Sequence, residues 1–209
     1  MIPQDLASNT PAERRNTLAA VLVGGRSRRM GVPKATLKLP SGLTLLEHTV
    51  KLAREFAGET VIVGTLPAGA VAPEAALWPD DLPGEGPLAA VTTTLKRCPH
   101  PWVLVLACDV PQLNSEVLGA LSAATAGPCD VVVAMGRRDD QPNPLLAYYR
   151  QTLREAMVEA VGHGERSLVR FLQSCDVRVV SVDWPPTLTS INTPKDWEEF
   201  LGGPPPVDV

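Results

Sequence analysis

At 209 residues the chain is the size of one large domain, able to bury roughly 70% of its unfolded surface and to fold without a disulfide or metal staple. A net charge of −4, with 44% hydrophobic and 20% charged residues, is an ordinary globular balance; it argues against nucleic-acid binding and against an anionic membrane surface. The four cysteines form no Cys-x-x-Cys pair and the three histidines are isolated, which argues against a zinc site. No apolar run approaches the ~20 residues of a membrane span, and the start of the chain lacks a signal peptide's apolar core, so a reducing cytoplasm is expected.

Residues 1–16 are polar and are expected to be a flexible N-terminal segment. The continuous apolar run at 17–23 predicts a strand covered on both faces, ended by Gly24 and Gly25. Apolar residues at 45, 46, 50, 53 and 57 predict a helix. Further strands are expected at 60–64 and 75–78, a helix at 88–95, and the strongest strand at 102–108, closed by Asp109 and Pro111. Asn114 caps a helix running to about residue 126, Ser167 caps a short one, and Pro194 opens a last one to Leu201. Between them lie strands at 130–135, 145–149 and 177–182 and a helix at 151–161. Strands alternating with helices of about ten residues predict an α/β fold in three layers around a mainly parallel, mixed sheet. One domain, 17–201, is expected, with a Pro/Gly-rich tail at 202–209.

Charge is concentrated. Between Glu13 and Glu47 there is no acidic residue, while Arg14, Arg15, Arg26, Arg28, Arg29, Lys34 and Lys38 all fall there. Two glycines directly after a strand let the backbone approach a ligand closely, and exposed amides in such a turn accept phosphate oxygens. The arginines and Lys34 add fixed positive charge suited to phosphate. The spacing is neither that of a P-loop nor G-x-G-x-x-G. Asp109, at the end of the strongest strand, is placed to hold Mg²⁺ against a triphosphate, since Mg²⁺ often takes only one or two protein carboxylates. Taken alone it reads equally well as an ordinary turn aspartate. In α/β sheets ligands lie at the carboxyl ends of strands, so Gly24, Gly25 and Asp109 are expected to share one crevice. Asp80 and Asp81 precede a tight turn, and the stretch 191–196 reads as a helix start.

Together these segments resemble the molybdenum cofactor guanylyltransferases, within the wider group of sugar-phosphate and cofactor nucleotidyltransferases. That family carries L-A-G-G-x-S-x-R-M-G-x-D-K, G-P-L-A-G, C-D-x-P and a late N-T-P, matched in the same order by residues 22–34, 86–90, 108–111 and 192–194. The likeness spans about residues 17–201. It departs at Pro33, where an acid is usual, at Val23, Ala90 and Ser190, and after the second strand, where 64–66 lacks an asparagine. These departures bear on the base and acceptor contacts more than on the triphosphate.

The resemblance implies a Rossmann-like nucleotidyltransferase fold and Mg²⁺-dependent transfer of GMP from GTP to the terminal phosphate of a molybdopterin-type cofactor, releasing pyrophosphate. Leu22, Val23, Gly24 and Gly25 would hold the nucleotide through their backbone. Lys34, assisted by Arg28, would neutralise phosphate, and Asp109 would hold the metal. Asp80 or Asp81 would face the base or ribose, and Arg166 and Asn192 the acceptor. Transient contact with molybdoenzymes or their chaperones is implied as well. Two other classes share these features: a sister enzyme using CTP on the same cofactor or GTP on a small phospho-acid, and a non-catalytic maturation factor.

Overall fold

The computed structural model describes residues 14–24, 30–71, 73–183, 185 and 188–202. Its elements in chain order are β1 (Thr17–Val23), α1 (Leu45–Phe56), β2 (Glu59–Gly64), β3 (Ala76–Trp78), α2 (Pro87–Arg97), β4 (Trp102–Ala107), α3 (Ser115–Ala124), β5 (Val131–Gly136), β6 (Asn143–Arg150), α4 (Arg154–Gly162), α5 (Leu168–Leu172), β7 (Val177–Val182) and α6 (Pro194–Gly202). Single 3-10 turns occupy Lys34–Thr36 and Gln151–Leu153. The expected tail beyond Gly202 and most of the N-terminal segment lie outside the described residues. Arg14 and Asn16 are described, and their carbonyls accept hydrogen bonds from Gly58 (2.6 Å) and Trp102 (3.2 Å).

All seven strands form one sheet in the order β3-β2-β1-β4-β6-β5-β7. The pairs β1–β2, β1–β4, β2–β3 and β5–β7 are parallel, whereas β6 runs antiparallel to both β4 and β5. Strand alternation explains the layers. Ala19, Val21, Ile62, Leu104 and Leu106 point to one face, where they pack with Leu46, Val50 and Phe56 of α1 and Val117, Leu118 and Leu121 of α3. Leu18, Ala20, Val61, Val103 and Val105 point to the other and meet Leu88, Val91 and Leu95 of α2, Met157 of α4 and Phe171 of α5. β4 carries apolar residues at every position, and β1 at every position after Thr17, because helices cover both faces, as the continuous runs predict.

Helix starts are set by local chemistry. Asn114 accepts from the Val117 amide at 3.0 Å and Ser167 from the Arg170 amide at 3.3 Å, as expected from sequence. α1 starts with a full capping box between Thr44 and Glu47. The helix expected over 151–161 begins as a 3-10 turn and becomes α-helical only at Arg154. α3 ends at Ala124, where the Thr125 amide turns back to the Ser122 carbonyl at 3.0 Å. No helix among the described residues is long and apolar enough to cross a membrane.

Candidate active site

The strand order fixes where a ligand fits. From β1 the chain builds outward through β2 to β3, then returns to place β4 on the opposite side of β1. This reversal between β1 and β4 is the switch point at which α/β sheets open a crevice beyond their carboxyl ends. Leu22 and Ala107 are register partners, so Gly24 and Asp109 each lie two residues past the same rung, on adjacent strand ends. The topology therefore brings Gly24 and Asp109, two of the residues expected to share a crevice, to the same end of the sheet.

Leu22 is half-buried against the α2 face and Val23 is buried on the α1 face, so their side chains belong to the core. What the two residues present at the lip is backbone. Gly24 is exposed, and a Cβ there would meet nothing within 4 Å. No described residue therefore requires glycine at this position, which suits a close-lying ligand. Gly25 and Arg28 lie outside the described residues.

Lys34 and Asp109 meet. The 3-10 turn after Pro33 directs the Lys34 ammonium to Asp109 Oδ2 at 3.0 Å and to Asn192 Oδ1 at 2.8 Å. Their side chains are only 17% and 20% exposed, so the pair is largely shielded from water. Buried Cys108 and Val110 flank Asp109, and its loop is tied to α1 where His48 Nε2 contacts the Leu113 carbonyl at 2.9 Å. From the far end of the chain, the Ile191 amide donates to the Asp109 carbonyl at 2.8 Å. The Asn192 amide group is fixed on both sides, since its Nδ2 donates to the Ser190 carbonyl at 3.1 Å.

Asp81 is ion-paired with Arg97 and, at 3.9 Å, with Lys96 on α2. Asp80 Oδ1 instead accepts from the Leu82 amide (3.0 Å) and the Thr93 hydroxyl (3.3 Å). Arg166 is paired with Glu85 and donates to the carbonyls of Val161 and Glu165, both at 3.0 Å. The turn carrying Glu85 lies tight against it, because a Cβ on Gly86 would come within 3.0 Å of the Arg166 carbonyl. The contacts of Arg166 are thus with the turn before α2 and the end of α4 rather than with the Lys34–Asp109 pair.

Three contributors were not apparent from the sequence. Gly64 ends β2 at φ +119, and a Cβ on it would overlap the Val23 carbonyl oxygen at 1.9 Å. Asp139 accepts from the Gly136 and Leu188 amides, each at 3.0 Å, joining the end of β5 to the segment before Asn192. Asp196 accepts from the Asn192 and Thr193 amides, each at 2.8 Å. These hydrogen bonds, with the Asn192 amide first, hold its carboxyl below the usual aspartate range. Only the last had a legible signal, since Thr193-Pro-Lys-Asp196 fits the pattern of a reciprocal helix cap.

Among the described residues no group of three or more His, Cys, Asp or Glu side chains is placed to bind a metal by itself. Asp109 is nonetheless suited to share one with a ligand. Its Oδ1 is buried and has no hydrogen-bond partner among the described residues, while Oδ2 faces Lys34. An orphaned buried carboxylate oxygen is costly unless a cation or donor arrives. A single carboxylate is also a common protein contribution to Mg²⁺ held on phosphates. Cys108 is poorly suited to be a nucleophile. Burial above all, and then the neighbouring Asp109 charge, push its thiol up to about 12.

Comparison with known proteins agrees with this construction. Residues 19–179 match the model of the MobA-like NTP transferase domain. A "probable molybdenum cofactor guanylyltransferase" of Nostoc sp. is 33% identical over 197 residues, covering 90% of this chain and 91% of its own. The crystal structure of molybdopterin-guanine dinucleotide biosynthesis protein A from Archaeoglobus fulgidus superposes with a TM-score of 0.70 at 29% identity, over 87% of this chain and 95% of that one. The fold extends to 2-C-methyl-D-erythritol 4-phosphate cytidylyltransferase from Thermus thermophilus, with a TM-score of 0.63 at 22% identity over 85% and 93%. Matched along most of its length, and with its switch point between β1 and β4, the chain belongs to the MobA-like NTP transferase family of nucleotidyltransferases.

Proposed function

We propose that this domain, residues 17–201, is a cytoplasmic guanylyltransferase that moves GMP from GTP to the terminal phosphate of a molybdopterin-type cofactor. The observation that carries the reading is the shielded Lys34–Asp109 pair at the switch point, with Asp109 Oδ1 left unpartnered among the described residues. The names of the Nostoc and Archaeoglobus relatives support the choice of substrates.

In this reading the triphosphate lies over the ends of β1 and β4, on the backbone of Leu22–Gly25. The base extends across β2 toward β3. Two strand spacings of about 4.8 Å give roughly 10 Å, enough for a nucleoside. Asp80 is the better candidate for the base or ribose, because Arg97 and Lys96 already engage Asp81. An acceptor phosphate oxygen attacks the α-phosphorus of GTP; the bond to the bridging oxygen breaks and pyrophosphate leaves with the electron pair. Lys34, assisted by Arg28, neutralises the phosphates, so both anionic reactants can approach. Asp109 would hold Mg²⁺, which supplies charge neutralisation and polarises the phosphate it binds. No side chain need become covalently attached, and positioning carries the rate. Arg166 and Asn192 lie toward the acceptor. Transient docking to molybdoenzymes or their chaperones would deliver the product.

Guanine choice is tested by melting the protein with magnesium-GTP and with magnesium-CTP. A ligand at one hundred times its dissociation constant stabilises a fold by about 2.7 kcal/mol, a rise of roughly 5–11 °C for a chain of this length. The larger rise is expected with GTP, because a carboxylate accepts two hydrogen bonds from guanine's N1–H and N2–H₂ edge. Equal rises, or a larger one with CTP, would replace this reading by the cytidylyltransferase one.

A further inference from the structure

The Lys34 ammonium carries three donors on a flexible four-carbon stem. Among the described contacts one donor goes to Asp109 Oδ2 and one to Asn192 Oδ1, which leaves a third for a phosphate oxygen. A lysine held only by Asp109 would be free to swing on that single contact. The Asn192 contact makes its position definite, and Asn192 is itself held from α6.

We infer that Asp196 is a positioning residue for Lys34, acting through Asn192; this rests on the reading of Lys34 as a phosphate ligand. Asp196 Oδ2 takes the amides of Asn192 and Thr193 together, each at 2.8 Å, and so fixes the backbone from which the Asn192 side chain projects. The Ser190 carbonyl then orients the Asn192 amide so that its oxygen, not its nitrogen, faces the ammonium. The Ile191 amide bonds to the Asp109 carbonyl, so one short segment holds both partners of the ion pair. The ordinary role of Asp196 would be to cap α6, since its own amide donates to the Thr193 hydroxyl at 3.2 Å. Capping alone explains the stability Asp196 gives the helix. It does not require the capping carboxylate to hold the residue that anchors the phosphate-binding lysine.

The two roles separate in a double-mutant cycle on the full chain, with magnesium-GTP affinity measured by titration calorimetry. Asp196→Ala should weaken binding by roughly tenfold in the wild-type background, within the range for residues of one hydrogen-bond network, and by less than about twofold in Lys34→Ala. Asn192→Ala, which keeps the helix cap, should weaken binding as Asp196→Ala does and decides the matter if the latter fails to fold. Thr193→Ala removes the other half of the cap; it should lower the melting temperature yet leave affinity within about twofold. Equal losses from Asp196→Ala in both backgrounds, or no loss from Asn192→Ala, would overturn the positioning role. If wild type does not bind magnesium-GTP, or Lys34→Ala binds it as wild type does, the reading of the site fails instead.

Discussion

Replacing Gly64 with alanine should damage stability and nucleotide binding together. At φ +119 an L-residue is strained, at a cost of roughly 1–2 kcal/mol. The added Cβ would also sit 1.9 Å from the Val23 carbonyl oxygen, about 1 Å inside the 3.0 Å floor for such contacts. That atom is backbone and cannot rotate away, so the ends of β1 and β2 must part and the last rung of their ladder is lost, at about 1 kcal/mol. The total is roughly 2–3 kcal/mol, or about 4–12 °C in melting temperature for a chain this long. Val23 adjoins Gly24 at the end of β1, so a shift of about 1 Å there should weaken nucleotide binding and cut turnover by up to roughly 10²-fold. Gly42→Ala is the control. It has φ +86 but meets nothing within 4 Å, so it bears the conformational cost alone and should leave nucleotide affinity intact. Melting curves and magnesium-GTP titrations on both variants provide the assay. Wild-type affinity in Gly64→Ala, or equal effects from the two substitutions, would refute the view that β2 sets the height of the lip.

Lys34→Ala should cut pyrophosphate release by about 10²–10³, the scale for one preorganised charge. Lys38 belongs to the same basic segment but is exposed, and Lys38→Ala should stay within about twofold; similar losses at both would mean the segment acts as diffuse charge. Glu47 tests the cap of α1. Its carboxyl is held below the usual range, first by the Thr44 amide and then by the Thr44 hydroxyl. A lowered pKa contributes stability above the unfolded value of about 4.3 and loses it as pH falls through the lower folded value. Glu47→Gln should therefore melt below wild type at pH 7, with the gap closing below about pH 4; a gap independent of pH would contradict this.

Much of the fold can be read from the chain because its signals are local. The uninterrupted apolar runs of β1 and β4 announce strands covered on both faces, and Asn114, Ser167 and Pro194 mark helix starts by their own chemistry. The antiparallel placement of β6 between β4 and β5 is not a local property; it follows from which strands find hydrogen-bond partners after collapse. The site divides the same way. Glycines after a strand and an aspartate ending another can be recognised by position. The Lys34–Asn192 contact spans 158 positions, and Gly64 is demanded by a carbonyl on the neighbouring strand; neither leaves a pattern in its own surroundings. For Asp80 and Asp81 the sequence offers two equal carboxylates, and only the ion pairs from α2 distinguish them.

The most direct test of the central claim is pyrophosphate release by Asp109→Asn as magnesium is varied, with GTP and a molybdopterin-type acceptor present. Asparagine keeps the shape and an oxygen to accept from Lys34, and removes the charge that would hold Mg²⁺ beside the orphaned Oδ1 position. The variant should melt as a folded protein and lose nearly all metal-dependent turnover. Wild-type release at limiting magnesium would make Asp109 an ordinary turn residue and contradict the account.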